Sequence, residues 1–121
     1  MSREYFFYLE DINKSCKKIL RYTHGLSVEQ FKDDDKTYDA VIRNLEIIGE
    51  SAKQIPSEIC AIMPNIEWRK AAGLRDMLVH AYFGIDNVIL WDVITNKIPD
   101  LLQASQVILL HIKNKNSTNF K

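Results

Sequence analysis

Apolar residues return every three or four positions through most of this chain, the spacing of one face of an α-helix, and β-branched runs bounded by turns are absent. Tyr5, Tyr8, Leu9, Ile12, Cys16, Ile19 and Leu20 form the first stripe. His24-Gly25 supplies its stop, because glycine takes the left-handed conformation that ends helices. Ser27 and Gln30 stand at capping-box spacing, which predicts a short helical turn in the connector. The run Asp33-Asp34-Asp35 is expected at the N-terminus of a second long helix, where carboxylates complement the helix dipole. That helix is predicted to reach about Ile55, with Tyr38, Val41, Ile42, Leu45, Ile48, Ala52 and Ile55 on one face. Pro56 ends it and opens a brief helix that Pro64 closes.

A third long helix is predicted from about Ile66 to Phe83, broken by Gly84. Its inward stripe holds Trp68, Ala71, Ala72, Leu78, Val79 and Tyr82, and Arg75 falls on the same stripe. Asp86 can cap a fourth helix carrying Val88, Ile89, Trp91, Val93 and Ile94, which Pro99 interrupts or kinks before "DLLQASQVILLHI" resumes the period. Four long helices with short links predict an all-α fold, an antiparallel up-down four-helix bundle. A single domain over residues 1–114 and a polar, frayed tail over 115–121 are expected.

Composition narrows this picture without redirecting it. Lysine plus arginine and aspartate plus glutamate number 16 each, so no global field announces nucleic acid or a membrane surface. Cys16 and Cys60 fall on predicted helices without metal-ligand spacing and read as buried, reduced thiols. The charged first helix has no signal-peptide core, and no run approaches the roughly 20 apolar residues of a membrane span. A cytoplasmic protein is the expectation.

Candidate chemistry concentrates in the third helix, "GLRDMLVHAYFG". An arginine on a buried stripe is costly unless something anionic meets it. For Arg75 that is either a salt bridge, to Glu46 or Glu50, or a phosphate received in a cleft. Spacing does not separate the two. His80 follows Arg75 by five residues, so on a straight helix it points about 140° away and about 7.5 Å along. Either the helix distorts there, as a π-bulge would do, or a second subunit completes the pair. Glu46 and Glu50 could form a carboxylate pair, though solvated or salt-bridging roles suit them as well. Trp68-Arg69-Lys70 is a small aromatic-basic cluster that could touch nucleic acid, and helix N-terminal packing explains Trp68 equally. No phosphate-binding glycine loop, nucleophile elbow or zinc motif is present in the sequence.

Three segments, "RNLEIIGESAKQIP" at 43–56, "PNIEWRKAAGLRDMLVHAYFGID" at 64–86 and "LWDVITNKIPDLL" at 90–102, resemble the HepT-like branch of the HEPN superfamily. The resemblance spans nearly the whole chain. It implies a small helical domain that forms homodimers and cleaves RNA without metal or other cofactor. The motif is an arginine, four to six residues, then histidine, matched by Arg75 and His80, with Tyr82 matching a tyrosine two residues on. In such dimers the motifs of both subunits converge on one cleft. The resemblance assigns Arg75 and His80 catalytic roles, with Asp76 auxiliary at a position that is commonly asparagine. Trp68, Arg69, Lys70, Arg43, Asn44 and Glu50 are further candidates for cleft or RNA contact. It implies further a type VII-like toxin–antitoxin pair, in which a minimal (MntA-like) nucleotidyltransferase antitoxin silences the toxin by adding AMP to Tyr82. A non-catalytic nucleotide- or partner-binding module, working with a nucleotidyltransferase, is the alternative from a different class. A purely structural role for Arg75 and His80 is the third.

Overall fold

The computed structural model describes residues 4–81 and 87–119, with the backbone alone for 79–81 and 116–119. Every regular element among them is helical: α1 Glu4–Thr23, α2 Val28–Asp33, α3 Asp35–Ala52, α4 Ser57–Cys60, α5 Trp68–Ala72, α6 Leu74–Ala81, α7 Asn87–Asp92, a π-helical turn Val93–Lys97, and α8 Ile98–Asn119. The all-α class is what the period predicts.

Local chemistry sets the ends of the first elements. Gly25 takes φ +77° after α1, a conformation that costs glycine little. The Ser27 hydroxyl accepts from the Gln30 N–H at 3.1 Å, and the Gln30 side chain accepts from the Ser27 N–H at 2.9 Å, so the capping box is complete. Asp34 caps α3, accepting from the Thr37 N–H at 3.1 Å and the Thr37 hydroxyl at 2.8 Å. The backbone hydrogen bond from Thr37, then the hydroxyl, hold the Asp34 carboxyl below the usual carboxylate range.

Helix α1 packs against α3 on one side and α8 on the other, and α3 carries α5 and α6 on its far side. Leu9, Ile12, Cys16 and Ile19 of α1 lose all exposure against Val41, Leu45 and Ile48 of α3 and Ile108 of α8 in one core. Fully burying a side chain of this kind contributes roughly 1.5–3 kcal/mol, which is why the stripes decide the fold. Burial also pushes the Cys16 thiol up to about 12, while Cys60 is only half-buried. Asn13 donates to Ser105 across the α1–α8 seam at 3.1 Å. Phe31 of α2 is buried between Tyr38 and Trp91, with ring centroids 5.1 and 5.2 Å apart, and ties α2 to α3 and α7.

Three elements differ from the periodic reading. The third long helix is two: the Gly73 N–H is shared by the carbonyls of Arg69 and Lys70, its ψ is 0°, and α6 restarts at Leu74. The break resets the phase of the buried face, so Leu74 and Leu78 enter the core. Around Pro99 the chain does not break. The π-helical turn lies just upstream, with the Ile98 N–H on the Val93 carbonyl, and Pro99 falls in the first turn of α8, where a missing N–H matters least. Leu90 and Ile94 supply the buried contacts there, leaving Val88 and Ile89 exposed. Helix α8 continues to Asn119, where a frayed tail was expected; the expected cap Asp86 and stop Gly84 lie outside the described residues.

Candidate functional site

Gly49 decides how closely α3 meets the α5–α6 pair. A Cβ built on it would stand 3.1 Å from the Arg75 backbone nitrogen and 3.5 Å from the Leu74 Cβ. The next residue, Glu50, therefore reaches Arg75: Nη1 donates to Oε1 at 2.9 Å. The Arg75 side chain is 54% exposed and that of Glu50 48%. This corrects the buried-stripe expectation, because the restart at Gly73 turns Leu74 inward and Arg75 outward. Of the two readings of Arg75, the ion pair with Glu50 is formed, but at the surface rather than inside.

Exposed pairs of this kind contribute about 0–1 kcal/mol, so Glu50 holds Arg75 weakly. A guanidinium with free donors and half its surface in water can take a phosphate in exchange for a single carboxylate oxygen. Lys53 Nζ lies 3.8 Å from the same Glu50 oxygen, and Arg43 pairs with Glu46 at 3.8 Å along α3. Asp76 is exposed beside Arg75 on α6. Asn44 is instead buried, donating from Nδ2 to the Ala40 carbonyl at 2.8 Å within its own helix. His80 contributes backbone to α6, which is α-helical from Leu74 to Ala81; its side chain and Tyr82 lie outside the described residues.

The α5 cluster is divided. Trp68 is half-buried, its Nε1 donating to the Met63 carbonyl at 3.1 Å, which is the packing role. Arg69 is exposed. Lys70 is 2.7 Å from Glu67, and Lys97 of the π-helical turn reaches the same carboxylate at 3.6 Å. The hydrogen bond from Lys70 holds the Glu67 carboxyl below its ordinary range, and Glu67 in turn holds the Lys70 ammonium above its own. These groups rim a cleft of about 460 Å³ whose floor is Leu74, Met77, Val93, Ile98 and Leu101. Sequence reasoning missed Gly49, the Glu67 pairing and this cleft. A glycine inside an apolar helical pattern is itself the signal that could have found the first. Among the described residues no three His, Cys, Asp or Glu side chains are grouped to hold a metal, and no helix is long and apolar enough to cross a membrane.

Residues 12–108 match a family described as "Ribonuclease HepT-like". "Probable ribonuclease HepT" of Thermococcus cleftensis is 46% identical over 101 residues, covering 84% of this chain and 92% of that protein. "Putative RNase MJ0127" of Methanocaldococcus jannaschii is 37% identical over 112 residues, covering 93% of each. No solved structure matches. With the family match over most of its length and relatives of this identity, the chain belongs to the HepT-like ribonuclease family.

Proposed function

We propose that the protein is a metal-independent RNA endonuclease, acting as a homodimer, and the toxin of a toxin–antitoxin pair. The observation that carries this reading is Arg75, at the head of an Arg-x4-His-x-Tyr pattern, half exposed and held by one carboxylate that a phosphate can replace. Family membership and the relatives' names support ribonuclease chemistry.

The chemistry needs only what these side chains carry. His80 takes the proton from a ribose 2′-hydroxyl, whose oxygen attacks the adjacent phosphorus. The bond to the 5′-oxygen breaks, and that oxygen receives a proton from the second subunit's copy of the motif. Arg75 neutralises the charge that builds on the phosphoryl oxygens. The products are a 2′,3′-cyclic phosphate and a 5′-hydroxyl, from tRNA or mRNA. Asp76, exposed next to Arg75, assists by orienting groups at the cleft. Val88 and Ile89, 77% and 52% exposed just after the motif, suit coverage by a second copy.

The antitoxin is a minimal nucleotidyltransferase that transfers AMP from ATP to the Tyr82 hydroxyl, releasing pyrophosphate. A bulky anion beside Arg75 would compete for its guanidinium and close the cleft to RNA. One observation favours a second reading, a non-catalytic partner-binding module: Arg75 already has one anionic partner, Glu50, without RNA. Expressing the protein alone, and together with a minimal nucleotidyltransferase as the proposed antitoxin, separates the two. The enzyme reading expects growth arrest and cleaved RNA alone, then recovery with a mass gain on Tyr82; no arrest from a folded protein contradicts it.

A further inference from the structure

Lys14, Lys17, Lys18 and Arg21 stand at the i, i+3, i+4, i+7 spacing of one helix face, on the outer side of α1. They run about 10 Å along the axis. Lys14, Lys17 and Arg21 are exposed, and Lys18 is half-buried. Among the described residues no carboxylate lies within ion-pair distance of any of the four. The surface around Arg75 is different: Arg43, Lys53 and Arg75 each meet a glutamate there. A chain of zero net charge thus gathers four cations and no carboxylate in the C-terminal half of one helix.

The four cations line a groove of about 540 Å³ together with Asn13 and Leu109 of the α1–α8 seam. Glu10 and Asp11 line the same groove one turn nearer the N-terminus, so the positive field is confined to its C-terminal half. Phe7, 62% exposed, offers a flat apolar ring at the other end. No residue of α3 lines the groove, and α3 is the helix that carries Arg75's partner, so this face is separate from the site described above.

We infer that this α1 stripe is a second RNA-binding surface, which holds the phosphate backbone of single-stranded RNA outside the cleavage site, with Phe7 available to stack a base. The inference rests on the ribonuclease reading for its ligand. Cations at helical spacing with no carboxylate partner suit consecutive phosphates, Arg21 resting 5.3 Å over the Tyr22 ring, and base–aromatic stacking tolerates any sequence. A membrane surface fits less well, because the apolar face of α1 is spent in the core: Leu9, Ile12, Cys16 and Ile19 have no exposure left to insert.

The test uses the full chain carrying His80→Ala, so that RNA survives the assay, and follows the anisotropy of a labelled single-stranded RNA oligonucleotide over a salt series. Substituting Lys14, Lys17 and Arg21 by glutamine is expected to lower the slope of log affinity against log salt by about 2, near 0.7 for each of three phosphate contacts. Affinity at low salt should fall about tenfold or more. Glutamine at Lys36, Lys113 and Lys115, an equal change of charge elsewhere, should leave affinity within about twofold. Lys14→Arg with Lys17→Arg should keep binding, and circular dichroism melting checks that each variant folds. An unchanged slope, or an equal loss in the control, overturns the inference. RNA held through the stripe by a chain whose wild-type form never cuts RNA would support the stripe and remove the nuclease reading alone.

Discussion

At the scale of single residues, the pair that matters most is Arg75 with Glu50. Its 2.9 Å contact is charge-assisted, yet both side chains are about half in water, so screening leaves it worth little to stability. In the proposed function its larger effect is competitive, because Glu50 occupies the guanidinium that an RNA phosphate would take. Glu50→Gln keeps a hydrogen-bond acceptor and removes the charge. In the His80→Ala chain it is expected to tighten RNA binding about threefold while stability shifts by under about 1 kcal/mol. Anisotropy and urea unfolding check the two halves, and weaker RNA binding would mean that Glu50 itself contacts RNA. That Arg75 would meet an anion was legible from its place in the periodic stripe with Leu78 and Val79, though that stripe was expected to bury it. That it would sit at the surface was not, because the phase of α6 depends on the turn at Gly73.

Helix ends and interruptions decide the elements. The capping box at Ser27–Gln30 and the cap at Asp34 were readable because both are local, using partners three residues away. The Gly73 restart and the π-helical turn at Val93–Lys97 were not, because tertiary contacts choose among backbone geometries that a sequence permits equally. Gly49 belongs with these: a helical glycine hints at close approach, but only packing shows that the approach is to Arg75 and Leu74. The Asp34 cap carries a pH dependence whose sign is fixed. Its carboxyl titrates lower when folded than when unfolded, so its contribution is complete above the unfolded value near 4 and is lost as pH falls through the folded value. Asp34→Asn preserves an acceptor for Thr37 and should flatten this part of the acid limb. Asp34→Ala should destabilise at every pH above it. Urea midpoints between neutral and acid pH measure both, and an unchanged acid limb in the asparagine variant would contradict the assignment.

For the whole molecule, hydrophobic period was sufficient to predict an all-α core, and Leu9, Ile12, Val41, Leu45 and Ile48 lie where it put them. Non-local information was what it lacked. Charge totals, balanced at 16 each, concealed the basic stripe on α1, because a sum carries no geometry. The same limit applies to the site: one chain presents Arg75 on α6, and the proposed cleft needs a second copy to complete it. The most direct measurement of this account is the chemistry of RNA ends after incubation with the wild-type chain in the presence of a metal chelator. Cleavage to 2′,3′-cyclic phosphate and 5′-hydroxyl ends is expected, falling by about a hundredfold or more in His80→Ala and in Arg75→Ala while both variants keep their fold. Products with 3′-hydroxyl ends, or cleavage that survives both substitutions, would contradict it.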